Sequence, residues 1–297
     1  MTAQAETGIS SCSALSAALG EPLAGTAPVA PGWLLIEQPG AWGHKAVTQS
    51  DFDPAIGAEL ERRGSAAGVR IGLIRRPGRN AHGAARTAYA ASTRPGASWV
   101  RRVDFTHGRD LLDLDLADLS GAGRPAGSDP MLLVCTNAKR DTCCAVLGRA
   151  LASELDAAGL DLWESSHLGG HRFAPTGVLL PTGYAYGRWD AAAARAAVEA
   201  AAAGAMTADR CRGRSAYDRP GQIAELAVRE AIGETGADAI VVDDAAAGDR
   251  RVVRHLDGRR WEVTLAPVAL GPATADPCTG KTIEPRALTT EAVTALA

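Results

Sequence analysis

Two cysteines and two histidines between residues 135 and 171 have the types and spacing to bind one metal centre. Cys135 follows the apolar run Met131-Leu132-Leu133-Val134, which reads as a buried strand. Cys144 comes nine residues later, where a helix is predicted to start. At such a start the helix dipole and the free N–H groups favour a thiolate. His167 and His171 flank Gly169-Gly170 behind a second strand-like run, and the glycines let the backbone turn until both rings face one point. A lone cysteine behind a strand is usually a small core residue. Four such side chains at the loop edges of one βαβ neighbourhood argue instead for a metal or cluster site.

The ligand types leave the metal open. Two Cys and two His suit a closed, tetrahedral structural zinc, although the eight-residue spacer between Cys135 and Cys144 is too wide for a zinc knuckle. The same set suits a [2Fe–2S] cluster, in which two His can replace two Cys. Cys143, next to Cys144, adds a third reading, a thiol oxidoreductase. Against it, the chain contains no Cys-x-x-Cys motif.

The elements that must position these residues are legible in outline. Leu147, Leu151 and Leu155 recur at helical spacing behind Cys144, and Leu160–Glu164 is the next strand. Gly177–Leu180 and Tyr184–Tyr186 flank Pro181-Thr182-Gly183 as a hairpin, and Asp190 is placed to cap an Ala-rich helix over 191–203. This β-α-β-β-β-α order differs from a plain thioredoxin order only by a missing second helix. Upstream, Trp33–Glu37, Phe52–Arg63, Val69–Ile74, Thr87–Ala91 and Trp99–Phe105 read as β-α-β-β-β. A basic loop, Arg75 to His82, lies between two of these strands, and the Gly-, Pro- and Ala-rich stretch 120–130 marks a boundary. The expected organisation is an α/β chain: a smaller α/β or α+β module over residues 1–125 and a thioredoxin-like module over 126–297. Downstream, Gly221–Ile232 reads as a helix, Val252–His255 and Trp261–Leu265 as a hairpin around Asp257-Gly258, and Leu288–Ala297 as a short terminal helix. The two halves share a rough β/α likeness too weak to be read as a duplication.

Composition narrows the function classes. With 31 basic against 34 acidic residues the net charge is −3, which argues against nucleic acid as a partner. No apolar run approaches the ~20 residues of a membrane-spanning helix, and the N-terminus lacks the pattern of a secretory signal. A cytoplasmic location is therefore expected, with the six cysteines free, metal-bound or redox-active rather than a disulfide framework.

The segments Cys135-Thr136-Asn137-Ala138-Lys139-Arg140-Asp141-Thr142-Cys143-Cys144 and Glu164-Ser165-Ser166-His167-Leu168-Gly169-Gly170-His171-Arg172-Phe173-Ala174-Pro175-Thr176 resemble the sucrase/ferredoxin-like family. Its pattern is a Cys, an Arg-Asp pair inside an eight-residue spacer, a second Cys, and later His-x3-His. Arg140 and Asp141 fall at the matching offsets, which makes Cys144 the matching ligand and Cys143 an extra thiol. The resemblance implies a thioredoxin-like ferredoxin module holding a [2Fe–2S] cluster on Cys135, Cys144, His167 and His171. An electron carrier between donor and acceptor proteins is then expected, rather than a stand-alone enzyme. Neutral imidazoles in place of thiolates would raise the potential above that of an all-Cys ferredoxin, and electron uptake could couple to protonation at a ligand imidazole. Lys139, Arg140 and Arg172 beside the ligands would favour the reduced state, and Asp141 or Glu164 could hydrogen-bond a ligand histidine.

Overall fold

The computed structural model describes residues 11–78, 86–140, 142–243, 248–275 and 282–297. It is an α/β structure. A short helix α1 (Cys12–Ala18) precedes β1 (Gly32–Glu37), α2 (Pro54–Ala67), β2 (Val69–Arg75), β3 (Arg86–Ser92), β4 (Trp99–Phe105) and the two-residue β5 (Arg124–Pro125). Then come β6 (Met131–Cys135), α3 (Arg149–Ala157), β7 (Leu162–Ser165), β8 (Gly177–Leu180), β9 (Tyr184–Tyr186), α4 (Ala191–Ala202) and β10 (Cys211–Arg214).

These ten strands form one sheet in the order β10-β9-β8-β6-β7-β2-β1-β3-β4-β5. The order contains the same pattern twice. In the second half β6 and β7 are parallel, β8 runs antiparallel to β6, and β9 antiparallel to β8. In the first half β1 and β2 are parallel, β3 runs antiparallel to β1, and β4 antiparallel to β3. Each half thus has the second-first-third-fourth strand order of a thioredoxin-like unit. The halves join along their second strands, where Ile74 stands opposite Ser165 and Arg75 opposite Glu164, antiparallel.

Strand β6 shows how sequence dictates placement. Side chains alternate across a strand, so Leu132 and Val134 enter a core with Leu151 and Leu155 of α3. Leu133 and Cys135 point the other way, into a core with Trp33 and Leu35 of β1 and with Cys143, Cys144 and Leu168. Burial on both faces suits a continuous apolar run, each large side chain contributing about 1.5–3 kcal/mol. The N-terminal segment closes this second core with Cys12, Ala27 and Ala30. Asp190 caps α4 as expected, accepting from Ala193 N–H at 2.8 Å.

The remainder folds as a four-stranded antiparallel sheet of β11 (Ile240–Val242), β12 (Arg250–His255), β13 (Arg260–Ala269) and β16 (Arg286–Leu296). A ribbon of β14 (Thr274–Ala275) and β15 (Thr282–Ile283) precedes β16. Helix α5 (Arg219–Ile232) packs its Ile223 and Val228 on Val253, Trp261 and Val263 of this sheet. The Asp257-Gly258 hairpin forms as expected. The terminal helix does not: residues 286–296 pair along β13, from Arg260 opposite Leu296 to Ala269 opposite Arg286. Thr289, Thr290, Val293 and Thr294 are β-branched, and a long open edge on β13 overrides the local Leu and Ala spacing. Among the described residues no helix is long and apolar enough to cross a membrane.

Candidate metal centre

The parallel pairing of β6 and β7 sets Cys135 opposite Ser165, so the chain segments leaving both strands emerge side by side. The Cys135 N–H donates to Thr176 O at 2.9 Å and the Thr136 N–H to Ser165 O at 3.0 Å. His167 therefore follows two residues beyond the register partner of Cys135. The second cysteine is brought in by a helix start pressed on the strand end. Cys144–Gly148 form a π-helical turn leading into α3, and a Cβ at position 148 would collide with the Cys135 carbonyl oxygen. Glycine there permits the close approach. Cys135, Cys143 and Cys144 are all buried in one core together with Leu168 of the histidine loop.

That loop turns as its sequence suggests. Gly169 and Gly170 hold φ of 87° and 74°, the left-handed region that glycine enters without a Cβ penalty. His171 opens a 3-10 turn over His171–Phe173. Two arginines fasten the loop by its carbonyls: Arg70 Nη2 donates to His167 O at 2.7 Å and Arg212 Nη1 to Gly169 O at 3.1 Å. A Cβ at Gly170 would fall on the Arg212 guanidinium, so glycine is also required to admit that side chain.

Arg212 is the least expected residue of the region. It is 1% exposed, and its other acceptors are Thr26 Oγ1 at 3.0 Å and the Thr26 carbonyl. The Phe173 ring lies 5.5 Å away. All of these are neutral, and no carboxylate pairs with it among the described residues. Burial pulls the guanidinium down to about 10, while Cys135, Cys144 and Cys211 oppose the shift by favouring its charge. It remains a cation at neutral pH. Burial pushes the Cys211 thiol up to about 12. Arg70 is lowered by burial, opposed by Cys135 and reinforced by Arg140. An interior cation without an anion is costly.

Other expectations divide. Glu164 does not serve a histidine: it accepts from Arg75 at 2.7 Å and from Thr136 at 3.2 Å. Asp141 and the basic loop from Arg79 to His82 lie outside the described residues. Arg75 stacks over Trp42, and Arg76 over Trp163, at 4.1 and 3.9 Å from the ring centroids. Arg172 pairs with Glu21 at 3.1 Å, while Lys139 and Arg140 are exposed. Cys12 is disulfide-bonded, against the expectation that the cysteines are free, metal-bound or redox-active. Among the described residues no group of three or more His, Cys, Asp and Glu stands arranged to hold a metal ion. The fit of a metal centre therefore rests on the donor types and on the burial of both cysteines in one core with Leu168 of the histidine loop, not on a closed coordination shell.

Sequence reasoning missed Arg212, Arg70 and the buried Asn137. The available signal was Cys211-Arg212-Gly213-Arg214, a strand too short and too charged to be read as interior, yet buried at every position. A family model described as sucrase/ferredoxin-like matches residues 23–213, which span the ten-stranded sheet up to β10. No curated protein and no solved structure matches the chain.

Proposed function

The chain belongs to the sucrase/ferredoxin-like family, and from that premise we propose that it is an electron-transfer protein whose [2Fe–2S] cluster is held by Cys135, Cys144, His167 and His171. The observation that carries the reading is that Arg212, a buried cation with no carboxylate partner among the described residues, donates to the histidine loop, whose Leu168 packs in one core with both cysteines. When bound, the cluster supplies a one-electron couple; with two thiolates and two neutral imidazoles it is uncharged when oxidised and singly negative when reduced. A fixed positive charge at this position favours the added electron. Zinc on the same ligands would carry the same zero charge as the oxidised cluster and has no reduced state for that positive charge to favour.

The chain's own residues then have separate tasks. Cys135 and Cys144 supply thiolates from a strand end and a helix start. Arg70 and Arg212 hold the histidine loop by its backbone, leaving the imidazoles to act as ligands. Trp163, Leu168 and Ala174 exclude water from the thiol side. Cys143 is buried beside the ligands as a free thiol.

Anaerobic purification with iron, acid-labile sulfide and zinc quantified together tests the reading. Two irons and two sulfides per chain, in coloured protein, are expected. Colourless protein with stoichiometric zinc, from cells supplied with iron, overturns it in favour of a structural Cys₂His₂ zinc site.

A further inference from the structure

A cavity of about 420 Å³ opens between the two halves of the sheet, immediately beside His167. Its size is within the range of small-molecule sites. Lys45, Arg70 and Arg140 line it, and none of the three forms an ion pair among the described residues. Glu61, on the exposed face of α2, is the one carboxylate in the wall among the described residues. Basic side chains from three separate segments thus converge on one concavity that holds a single carboxylate among the described residues. Arg70 spends one N–H on His167 O, and its fork has further donors to offer.

Asn137 also lines this cavity. It is 1% exposed, and neither its amide nitrogen nor its amide oxygen has a hydrogen-bond partner. A buried amide left unsatisfied at both ends costs about 1–3 kcal/mol per group. What satisfies it must accept one hydrogen bond and donate another. Arginine and lysine around it select negative charge. An oxyanion that also carries a hydroxyl meets both demands: hydrogen phosphate, or a short hydroxycarboxylate.

We propose that this cavity is a binding site for a small hydroxyl-bearing oxyanion, with Lys45, Arg70 and Arg140 taking its charge and Asn137 its hydroxyl. The site stands on residues outside the four proposed ligands except His167, whose loop forms one wall. It does not depend on which metal that loop holds.

Isothermal titration of the purified full chain with inorganic phosphate, malate and succinate, each in turn, tests it. Saturable one-to-one binding of phosphate or malate is expected, and whichever binds identifies the phosphate or carboxylate source. Succinate, which lacks the hydroxyl, should bind about tenfold more weakly than malate if the carboxylate is the ligand. Asn137→Ala should weaken the bound anion about tenfold and, for a carboxylate, erase the malate–succinate difference. Lys45→Gln and Arg140→Gln change exposed side chains that the fold does not need, and each should weaken binding severalfold. No saturable binding of either phosphate or malate, or binding indifferent to all three substitutions, overturns the proposal. Metal analysis on the same protein keeps the two readings apart: anion binding by a zinc-loaded chain sinks electron transfer and sustains this site.

Discussion

The two halves of the sheet have the same strand order and opposite chemistry. At the end of β1, where the second half presents Cys135 and Thr136, the first half presents Glu37 and Gln38. Glu37 accepts from Thr87 N–H at 3.2 Å and Gln38 from Arg86 at 2.5 Å, so both are tied to β3. Helix α2 follows a connection anchored by the buried Trp42, whereas the connection from β6 to α3 carries Cys143 and Cys144. In each half the carboxyl ends of the parallel pair are the place where loops converge, which is where α/β sheets accept ligands. Among the described residues only the second half furnishes that place with thiols. The first half braces it, sending Arg70 to the His167 carbonyl and Arg75 to Glu164 across the β2–β7 junction. A shared scaffold therefore says little about function; the loops and the junction say most of it.

Breaking the asymmetry at the four proposed ligands gives the largest effect. Cys135→Ser or Cys144→Ser should abolish bound iron and sulfide, while Cys143→Ser and, in the first half, Glu37→Gln leave both at the wild-type level by metal analysis. Gly170→Ala comes next. Its Cβ would meet Arg212 and its φ is left-handed, so a loss of about 3 kcal/mol in urea unfolding is expected. Gly169→Ala, with open space around its Cβ, should lose only about 1 kcal/mol. At the junction, Arg75→Met removes a mostly buried ion pair and the stacking on Trp42. It should cost about 2 kcal/mol by the same measurement. The smallest effect sharpens the electrostatic claim. Arg212→Gln should make reduction about tenfold less favourable, a fall of about 59 mV for one electron. Arg212→Lys should recover most of that shift, because the charge, not the fork, does the tuning.

Much of the candidate site is readable because it is local. Cys135, Cys144, His167 and His171 announce themselves by type, spacing and position at element ends, and Gly169-Gly170 by the turn they permit. What escaped depends on distant chain. Arg212 is interior only because Thr26 and the N-terminal segment cover β10, some 186 positions away in sequence. Asn137 sits within the ligand motif, yet its burial is decided by tertiary packing around it. Residues 286–296 carry a helical spacing that the edge of β13 overrides. The repeated strand order is likewise a property of pairing rather than of residue identity. Trp33-Leu34-Leu35-Ile36 and Met131-Leu132-Leu133-Val134 are both apolar runs leading to a helix and a parallel strand, and that alone does not reveal a common order.

The central claim is that two histidines from one loop complete a cluster begun by two cysteines. Pulsed electron paramagnetic resonance of the dithionite-reduced protein addresses it directly. The account predicts a rhombic signal from the reduced cluster with hyperfine couplings to two imidazole nitrogens, one of them lost in His167→Cys and the other in His171→Cys. A reduced protein without such a signal, or a cluster signal free of nitrogen coupling, would contradict it.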